Sequence, residues 1–383
     1  MKIVTVIGAR PQIIKASALS RAISNTYADK IDEVIVHTGQ HYDEKMSDIF
    51  FSQLQIPKPN YNLNIGSATH GVQTARMIEG IEQVLQKENP DALVIYGDTN
   101  STLAGAVAAS KIQIPVVHIE AGLRSFDKTM PEEINRILAD NVSTLLFTPT
   151  KAGYDNLMNE GFSSKITAKP DFNRPNVYHC GDIMLDNTLH FSDIAINNDE
   201  YRQRFGEDFV LCTVHRNTNT DNAEKLSSIF TSLIEIAKRQ RIIMPLHPRT
   251  KKMMPQMLSK TLFDEVENNK NIQIIEPVGF LEMCYLESAS SLIVTDSGGV
   301  QKEAYFLQKP CIILRPQTEW VEIVKNKCAV IADTYENKIL AAYEQFSDVA
   351  YFQKVLSEAR KTPIFGDGKS AEFMCKTILE TLG

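Results

Sequence analysis

The sequence contains no C-x-x-C pair, no G-x-G-x-x-G, no basic tract and no apolar run near the roughly 18 residues a membrane helix needs. Each absence excludes a class. Cys180, Cys212, Cys284, Cys311, Cys328 and Cys375 stand singly, mostly beside apolar residues, as in Val210-Leu211-Cys212 and Cys311-Ile312-Ile313. They read as buried thiols in a reducing compartment, not as disulfides or zinc ligands. A formal net charge of -7, with both signs evenly mixed, leaves no stripe to follow a phosphate backbone, so nucleic acid is not an expected partner. Residues 1–8 form a strand pattern in place of a signal peptide, and the expected compartment is the cytoplasm. Without a dinucleotide fingerprint or H-E-x-x-H, neither a cofactor nor a metal is expected.

What is present is alternation. Strand-like runs at 2–7, 33–37, 93–98, 116–120 and 145–147 are separated by helical patterns such as 11–22 and 71–87, with an irregular segment over 39–67. The same alternation continues at 209–214, 242–246, 272–275, 292–295 and 311–314, with helical patterns such as 223–239 between them and an amphipathic helix over 370–382. This is the signature of α/β parallel sheets. A length of 383 residues exceeds what one core usually serves. The expectation is two Rossmann-like, doubly wound domains facing a cleft, joined near the polar stretch 175–186.

Asp98 and Glu120 each close an apolar run, with a helical stretch between them. A right-handed strand–helix–strand unit puts both strand ends on one edge, where open parallel sheets bind ligands. Pro131-Glu132-Glu133-Ile134-Asn135-Arg136 brings a third acid and a guanidinium nearby. Three acids at one edge point to acid/base work. Each has a structural rival: Glu120 can tie loops together, and Glu132 suits a helix start electrostatically. Glu133 is read as a neighbour only.

Two turns suit phosphate. Gly8-Ala9-Arg10-Pro11 follows a strand and opens a helix, with Lys15 one turn later; the rival is a pair of solvated charges. Thr295-Asp296-Ser297-Gly298-Gly299 does the same, its glycines admitting an anion close to free N–H groups, and Glu303 can accept from a ribose diol. A purely structural Gly-Gly turn is the alternative. His215-Arg216 and His247-Pro248-Arg249 stand at strand ends and resemble a pyrophosphate clamp, although a lone strand-end histidine is usually structural.

Taken together, Gly8-Ala9-Arg10-Pro11, Thr38-Gly39-Gln40-His41, Gly97-Asp98-Thr99, His118-Ile119-Glu120-Ala121-Gly122-Leu123-Arg124, Pro131-Glu132-Glu133, Asn135-Arg136 and Asp296-Ser297-Gly298-Gly299 resemble, over essentially the full length, the non-hydrolysing UDP-N-acetylglucosamine 2-epimerase family. The resemblance implies glycosyltransferase-B architecture, domains over 1–178 with 366–383 and over 179–365, and a last helix crossing back onto the first domain. It implies inversion of C2 in a UDP-linked N-acetylhexosamine, UDP-GlcNAc to UDP-ManNAc, by anti elimination of UDP and re-addition to a 2-acetamidoglucal. It implies a homodimer and a place in polysaccharide biosynthesis. Asp98, Glu120, Glu132 and His215 fall on the family's catalytic positions. Arg10, Lys15, Arg136, His247, Met283, Ser297, Gly298, Gly299, Glu303 and Arg315 fall on or beside positions that bind nucleotide or substrate.

The sequence also departs from the common branch. It reads His215-Arg216-Asn217-Thr218-Asn219-Thr220-Asp221 after the histidine, and Thr318-Glu319-Trp320-Val321-Glu322 in place of T-E-R-P-E. The tryptophan form resembles the branch acting on UDP-2,3-diacetamido-2,3-dideoxy-glucuronate, a contending substrate. Trp320, the sole tryptophan, either packs in the core or lines the sugar pocket. Met283 stands where many relatives place an aromatic near uracil, leaving base packing to a thioether and backbone contacts. Gln40 and His41 match part of an activating UDP-GlcNAc site, but 70–73 lacks the arginine expected there and Asn217 replaces another, so allosteric activation is expected to be absent. A hydrolysing relative, a retaining glycosyltransferase and a non-catalytic nucleotide-sugar sensor are the other readings.

Overall fold

The computed structural model describes residues 1–39, 54 and 56–383; Gln40 and His41 lie outside them. The chain forms two compact units, Met1–Asn187 with Ile364–Gly383, and Thr188–Pro363.

The first unit is wound on a seven-stranded sheet of order β3-β2-β1-β4-β5-β6-β7. Its strands are β1 (Lys2–Ile7), β2 (Asp32–His37), β3 (Tyr61–Asn62), β4 (Ala92–Tyr96), β5 (Val116–Ile119), β6 (Leu145–Thr148) and β7 (Asn176–His179). Every pairing is parallel. The helices between them are α1 (Arg10–Ala22), α2 (His70–Glu88), α3 (Asn100–Lys111), α4 (Pro131–Asn141) and α5 (Lys151–Asn159), and β7 is followed by α6 (Ile183–Ile196), in which the chain passes from the first unit to the second. Strands covered on both faces read as continuous apolar runs, and β4 is buried at every position. One face packs Val4, Val6, Leu93 and Ile95 against Met77, Ile81, Leu85 and Ala104. A fully buried Leu or Ile contributes roughly 1.5–3 kcal/mol over an exposed one. α3 approaches closely because its inner face is small: a Cβ on Gly105 would lie 2.9 Å from Ile95 Cγ2.

The stretch read as a polar join holds strand β7. The polar residue that hid it, Asn176, is fully buried and fully used, accepting from Thr167 N at 2.8 Å and donating to Thr167 O at 2.8 Å and Tyr178 Oη at 3.1 Å. The expected end of the segment, Asp182 to Asp186, instead leads into and forms the first turn of α6.

The second unit repeats the scheme with a six-stranded sheet of order β10-β9-β8-β11-β12-β13. Its strands are β8 (Val210–Thr213), β9 (Ile242–Pro245), β10 (Ile272–Ile275), β11 (Leu292–Thr295), β12 (Cys311–Ile313) and β13 (Ala329–Ile331), again all parallel. Its helices are α7 (Asp199–Phe205), α8 (Asn217–Thr220), α9 (Ala223–Ala237), α10 (Pro248–Met257), α11 (Lys260–Glu267), α12 (Phe280–Ala289), α13 (Gly298–Phe306), α14 (Val321–Lys325), α15 (Glu336–Ser347) and α16 (Val349–Ala359). The last helix, α17 (Ser370–Leu382), belongs to the first unit and packs on α1. Among the described residues no helix is long and apolar enough to cross a membrane.

The start of α17 is held by Asp186, whose carboxyl accepts the backbone N–H groups of Ser370 at 3.2 Å and Ala371 at 2.8 Å. Burial outweighs these bonds and raises Asp186 from 3.8 to about 6. The folded state therefore binds this proton more tightly than the unfolded chain. Its contribution is fully present below pH 3.8 and is lost as pH rises through about 6. The shift corresponds to about 3 kcal/mol. Denaturation of the protein and of Asp186→Asn across pH 4 to 8 is expected to show the variant gaining on the parent by about that amount as pH rises. A pH-independent difference would refute the assignment.

Candidate functional site

In the first unit, Arg10 is exposed at the start of α1 and Lys15 follows one turn later. The turn is fixed by Gln12, a buried residue that sequence reasoning passed over. Its side-chain oxygen accepts from Gly8 N at 2.9 Å and Ala9 N at 3.1 Å, while its amide donates to Tyr96 O and Thr102 Oγ1, each at 3.0 Å. The phosphate-type turn after β1 is thus tied to the end of β4.

Lys15 forms an ion pair with Glu120, both side chains 13% exposed. Glu120 stands just past β5 with φ +71, a left-handed conformation in which a non-glycine residue is strained, and such residues cluster at functional sites. Its N–H donates to Phe147 O at 3.1 Å, which anchors the bend to β6. Beneath the pair, Gly97 has φ +61, and a Cβ there would lie 3.1 Å from Glu120 Oε2 and 3.2 Å from Lys15 Nζ. The left-handed turn favours glycine, and a side chain there would crowd the ends of both charged groups.

Asp98 follows Gly97 and pairs with Arg136 of α4; its side chain is 33% exposed. Asn135 Nδ2 donates to Asp98 O at 2.9 Å. Glu132 is exposed in the first turn of α4, where its carboxylate also suits the helix start electrostatically. Glu133 proves to be more than a neighbour. It is 1% exposed and accepts from Ser125 N at 2.9 Å, Phe126 N at 3.0 Å and Arg136 Nη1 at 2.6 Å. Burial pushes its carboxyl up, but these donors outweigh it and hold the group below its ordinary value. Arg136 is therefore oriented from behind by Glu133 and presented to Asp98.

In the second unit, the turn after β11 is organised by Asp296, which is fully buried. Its carboxyl accepts the N–H of His215 at 3.0 Å, the N–H of Arg216 at 2.9 Å and Asn219 Nδ2 at 3.1 Å. His215 stands after β8, its ring centroid 5.5 Å from that of His247. Burial pushes the His215 imidazole down, Asp296 opposes this, and His247 and Arg216 push it further down. The ring is thus kept neutral near pH 7 and available to accept a proton. His247 caps α10 by accepting Arg249 N at 3.1 Å. The arginine expected as part of a clamp, Arg249, is instead engaged by Asp221 and by Thr220 Oγ1 at 3.0 Å, because the C-terminal end of α8 supplies that carboxylate.

Ser297 caps α13, whose first residues are Gly298 and Gly299. Arg315 lies beside this turn, its Nη1 3.6 Å from where a Cβ on Gly298 would sit, and forks onto Glu319 at 2.8 and 2.7 Å. Trp320 neither joins the core nor floats: its Nε1 donates to Gly298 O at 2.9 Å, and Lys302 Nζ lies 4.6 Å above the ring. Glu303 is bonded by Glu287, a residue with no signal in the sequence. Burial and then Glu303 push the Glu287 carboxyl well above the ordinary carboxyl range. Met283 is partly buried on the same helix, α12, as Glu287. Among the described residues no group of three or more His, Cys, Asp or Glu is placed to hold a metal ion.

The model of the family described as UDP-N-acetylglucosamine 2-epimerase matches residues 24–379. The chain is 50% identical over 341 residues to the UDP-2,3-diacetamido-2,3-dideoxy-D-glucuronate 2-epimerase of Pseudomonas aeruginosa, covering 89% of this chain and 90% of that one. It is 45% identical over 387 residues to the UDP-N-acetylglucosamine 2-epimerase of Methanocaldococcus jannaschii, covering 99% of both. The crystal structure of Methanocaldococcus jannaschii UDP-GlcNAc 2-epimerase in complex with UDP-GlcNAc and UDP aligns over 99% of both chains with a TM-score of 0.76 and 44% identity.

Proposed function

We propose that this chain, which belongs to the UDP-N-acetylglucosamine 2-epimerase family, inverts C2 of a UDP-linked N-acetylhexosamine, taking UDP-GlcNAc to UDP-ManNAc. The observation that carries this reading is the carboxyl edge of the first sheet, where Asp98 and Glu120 stand just past adjacent strands, each paired with a cation from a helix.

No carbonyl adjoins C2 of a pyranoside, so simple proton abstraction there is unfavourable. In the proposed route a base takes the C2 proton while the C1–O bond to UDP breaks, and the C–H electrons become the C1=C2 bond of a 2-acetamidoglucal. UDP then adds back at C1 as a proton is delivered to the other face of C2. Nothing is oxidised or reduced overall. Asp98, Glu120 and Glu132 are the proposed acids and bases, with His215; positioned groups of this kind contribute ~10²–10⁴-fold each. Arg10, Lys15 and Arg136 in the first unit, and His247, Met283, Ser297, Gly298, Gly299, Glu303 and Arg315 in the second, are proposed to bind the nucleotide sugar. Charge grows on UDP as it departs, and preorganised donors such as the N–H groups opening α13 stabilise it.

A second reading has its own observation. The indole of Trp320 is bonded to Gly298, fixing the residue that distinguishes the diacetamido-glucuronate branch directly on the proposed phosphate turn. The 50% identity to a 2-epimerase of that branch supports the same substrate. A homodimer in the cytoplasm is the proposed setting. Exposed apolar side chains, Val72 on α2 and Ile134 and Leu138 on α4, support the former. Six free thiols support the latter.

An NMR time course in D₂O with the two UDP sugars offered separately tests the reading. Deuterium at C2 and the manno epimer are expected from UDP-GlcNAc; turnover of the diacetamido uronate alone would select the second substrate. Exchange with neither would overturn the proposal, and UDP released in excess of epimer would indicate a hydrolase.

A further inference from the structure

One buried group of charges joins the three segments that carry the proposed carboxylates. His118 on β5 and Asp140 in the last turn of α4 are both fully buried, with His118 Nδ1 2.7 Å from Asp140 Oδ1. His118 Nε2 lies 2.8 Å from Gly97 O. The other oxygen of Asp140 accepts Gly122 N at 3.2 Å and meets Arg124 Nη1 at 2.7 Å. Arg124 in turn forks onto Glu160 at 2.7 and 2.6 Å.

The hydrogen count is informative. A carbonyl only accepts, so Nε2 carries a hydrogen toward Gly97, and the contact between Nδ1 and the carboxyl oxygen requires a second, on one side or the other. Every polar atom of the His118–Asp140 pair is thereby used, and each bond ends on a segment of the site. Gly97 immediately precedes Asp98, Gly122 follows Glu120 by two residues, and Asp140 lies one turn beyond Arg136 on α4. Stability alone does not account for such a group, since a buried ion pair commonly does no better than apolar side chains of the same volume. What a satisfied buried network supplies is a single fixed geometry.

We propose that His118 and Asp140 are positioning residues of the epimerisation, holding the Asp98 turn, the Glu120 turn and α4 in one arrangement without touching substrate. The inference rests on the C2 epimerisation proposed above. Its consequence is that loosening the group misplaces the reacting carboxylates relative to C2 while leaving the nucleotide contacts proposed for the second unit intact, and a displacement near 1 Å is sufficient to lose about 10²-fold in rate.

The test compares His118→Phe, which keeps a ring and removes both bonds, with His118→Gln, which keeps an N–H to reach Gly97 O, at a temperature where both are folded by circular dichroism. The expected result for His118→Phe is a fall in kcat of C2 exchange of about 10²-fold with KM within about threefold. His118→Gln is expected to recover about tenfold of that loss. A folded His118→Phe with parental kcat overturns the inference; absence of C2 exchange in the unaltered protein overturns the epimerase reading instead. Removing one partner of a buried pair strongly destabilises a fold, so a second readout uses the unaltered protein. With ¹⁵N-histidine and ¹³C-carbonyl glycine, a ring hydrogen coupled across a hydrogen bond to the Gly97 carbonyl is expected, and its absence overturns the strut.

Discussion

Glu120→Gln is expected to lower kcat for C2 deuterium exchange by about 10³-fold while leaving UDP affinity within a fewfold. The substitution keeps the shape of the side chain and its polar atoms but removes the basic carboxylate and leaves the Lys15 ammonium, only 13% exposed, opposite a neutral amide. The backbone at this position is already left-handed with φ +71, and glutamine meets the same strain as glutamate, so the turn itself is not altered. Rapid-quench or NMR exchange rates, read beside the melting temperature, separate the two roles open to this residue. A merely loop-tying Glu120 would lose stability and keep its rate per folded molecule. A reacting Glu120 loses the rate and keeps its fold.

Asp296→Asn is expected to weaken UDP binding by about 10²-fold. The carboxyl is fully buried and receives three N–H donors, from His215, Arg216 and Asn219. An amide presents two hydrogens of its own on one side, so at least one donor faces another donor. Leaving a buried polar group unsatisfied costs about 1–3 kcal/mol. Because two of the donors are backbone N–H groups of the His215 turn, the cost is met by movement of that turn, and the movement is what lowers affinity; 1.4 kcal/mol is tenfold in a dissociation constant. Calorimetric titration with UDP measures it. Unchanged affinity in a folded Asp296→Asn would mean that the turn after β8 does not depend on this carboxyl.

The parts of the fold legible in the sequence were those with a one-dimensional signature. β4, β8 and β11 are almost wholly apolar runs, and β5 is one broken only by His118, because both faces of a parallel sheet are covered. The strands that escaped detection are β3, with two residues, β13, with three, and β7, whose Asn176 reads as a turn former until Thr167 is brought alongside it. The site followed the same division. Asp98, Glu120, His215 and His247 stand where strands end, and strand ends are visible. Glu133, Gln12 and Glu287 take their importance from partners that are remote in sequence or that no short pattern encodes: Ser125 and Phe126 for Glu133, the end of β4 for Gln12, and Glu303 for Glu287. Trp320 could not be placed from its neighbours because its bond to Gly298 crosses 22 residues.

The packing of α17 on α1 sets an order of events during synthesis. Helix α1 is completed, as a packed element, only by α17, which is made much later, and the carboxyl of Asp186 gains its backbone partners only with Ser370 and Ala371. At translation rates of about 5–20 residues per second, tens of seconds separate the emergence of α1 from that of α17. The second unit, continuous from Thr188 to Pro363, has all its strands available before then. Until α17 is made, the nascent chain therefore lacks the helix that packs on α1, and the unit proposed to bind the nucleotide can be assembled before the unit proposed to carry out the chemistry is closed.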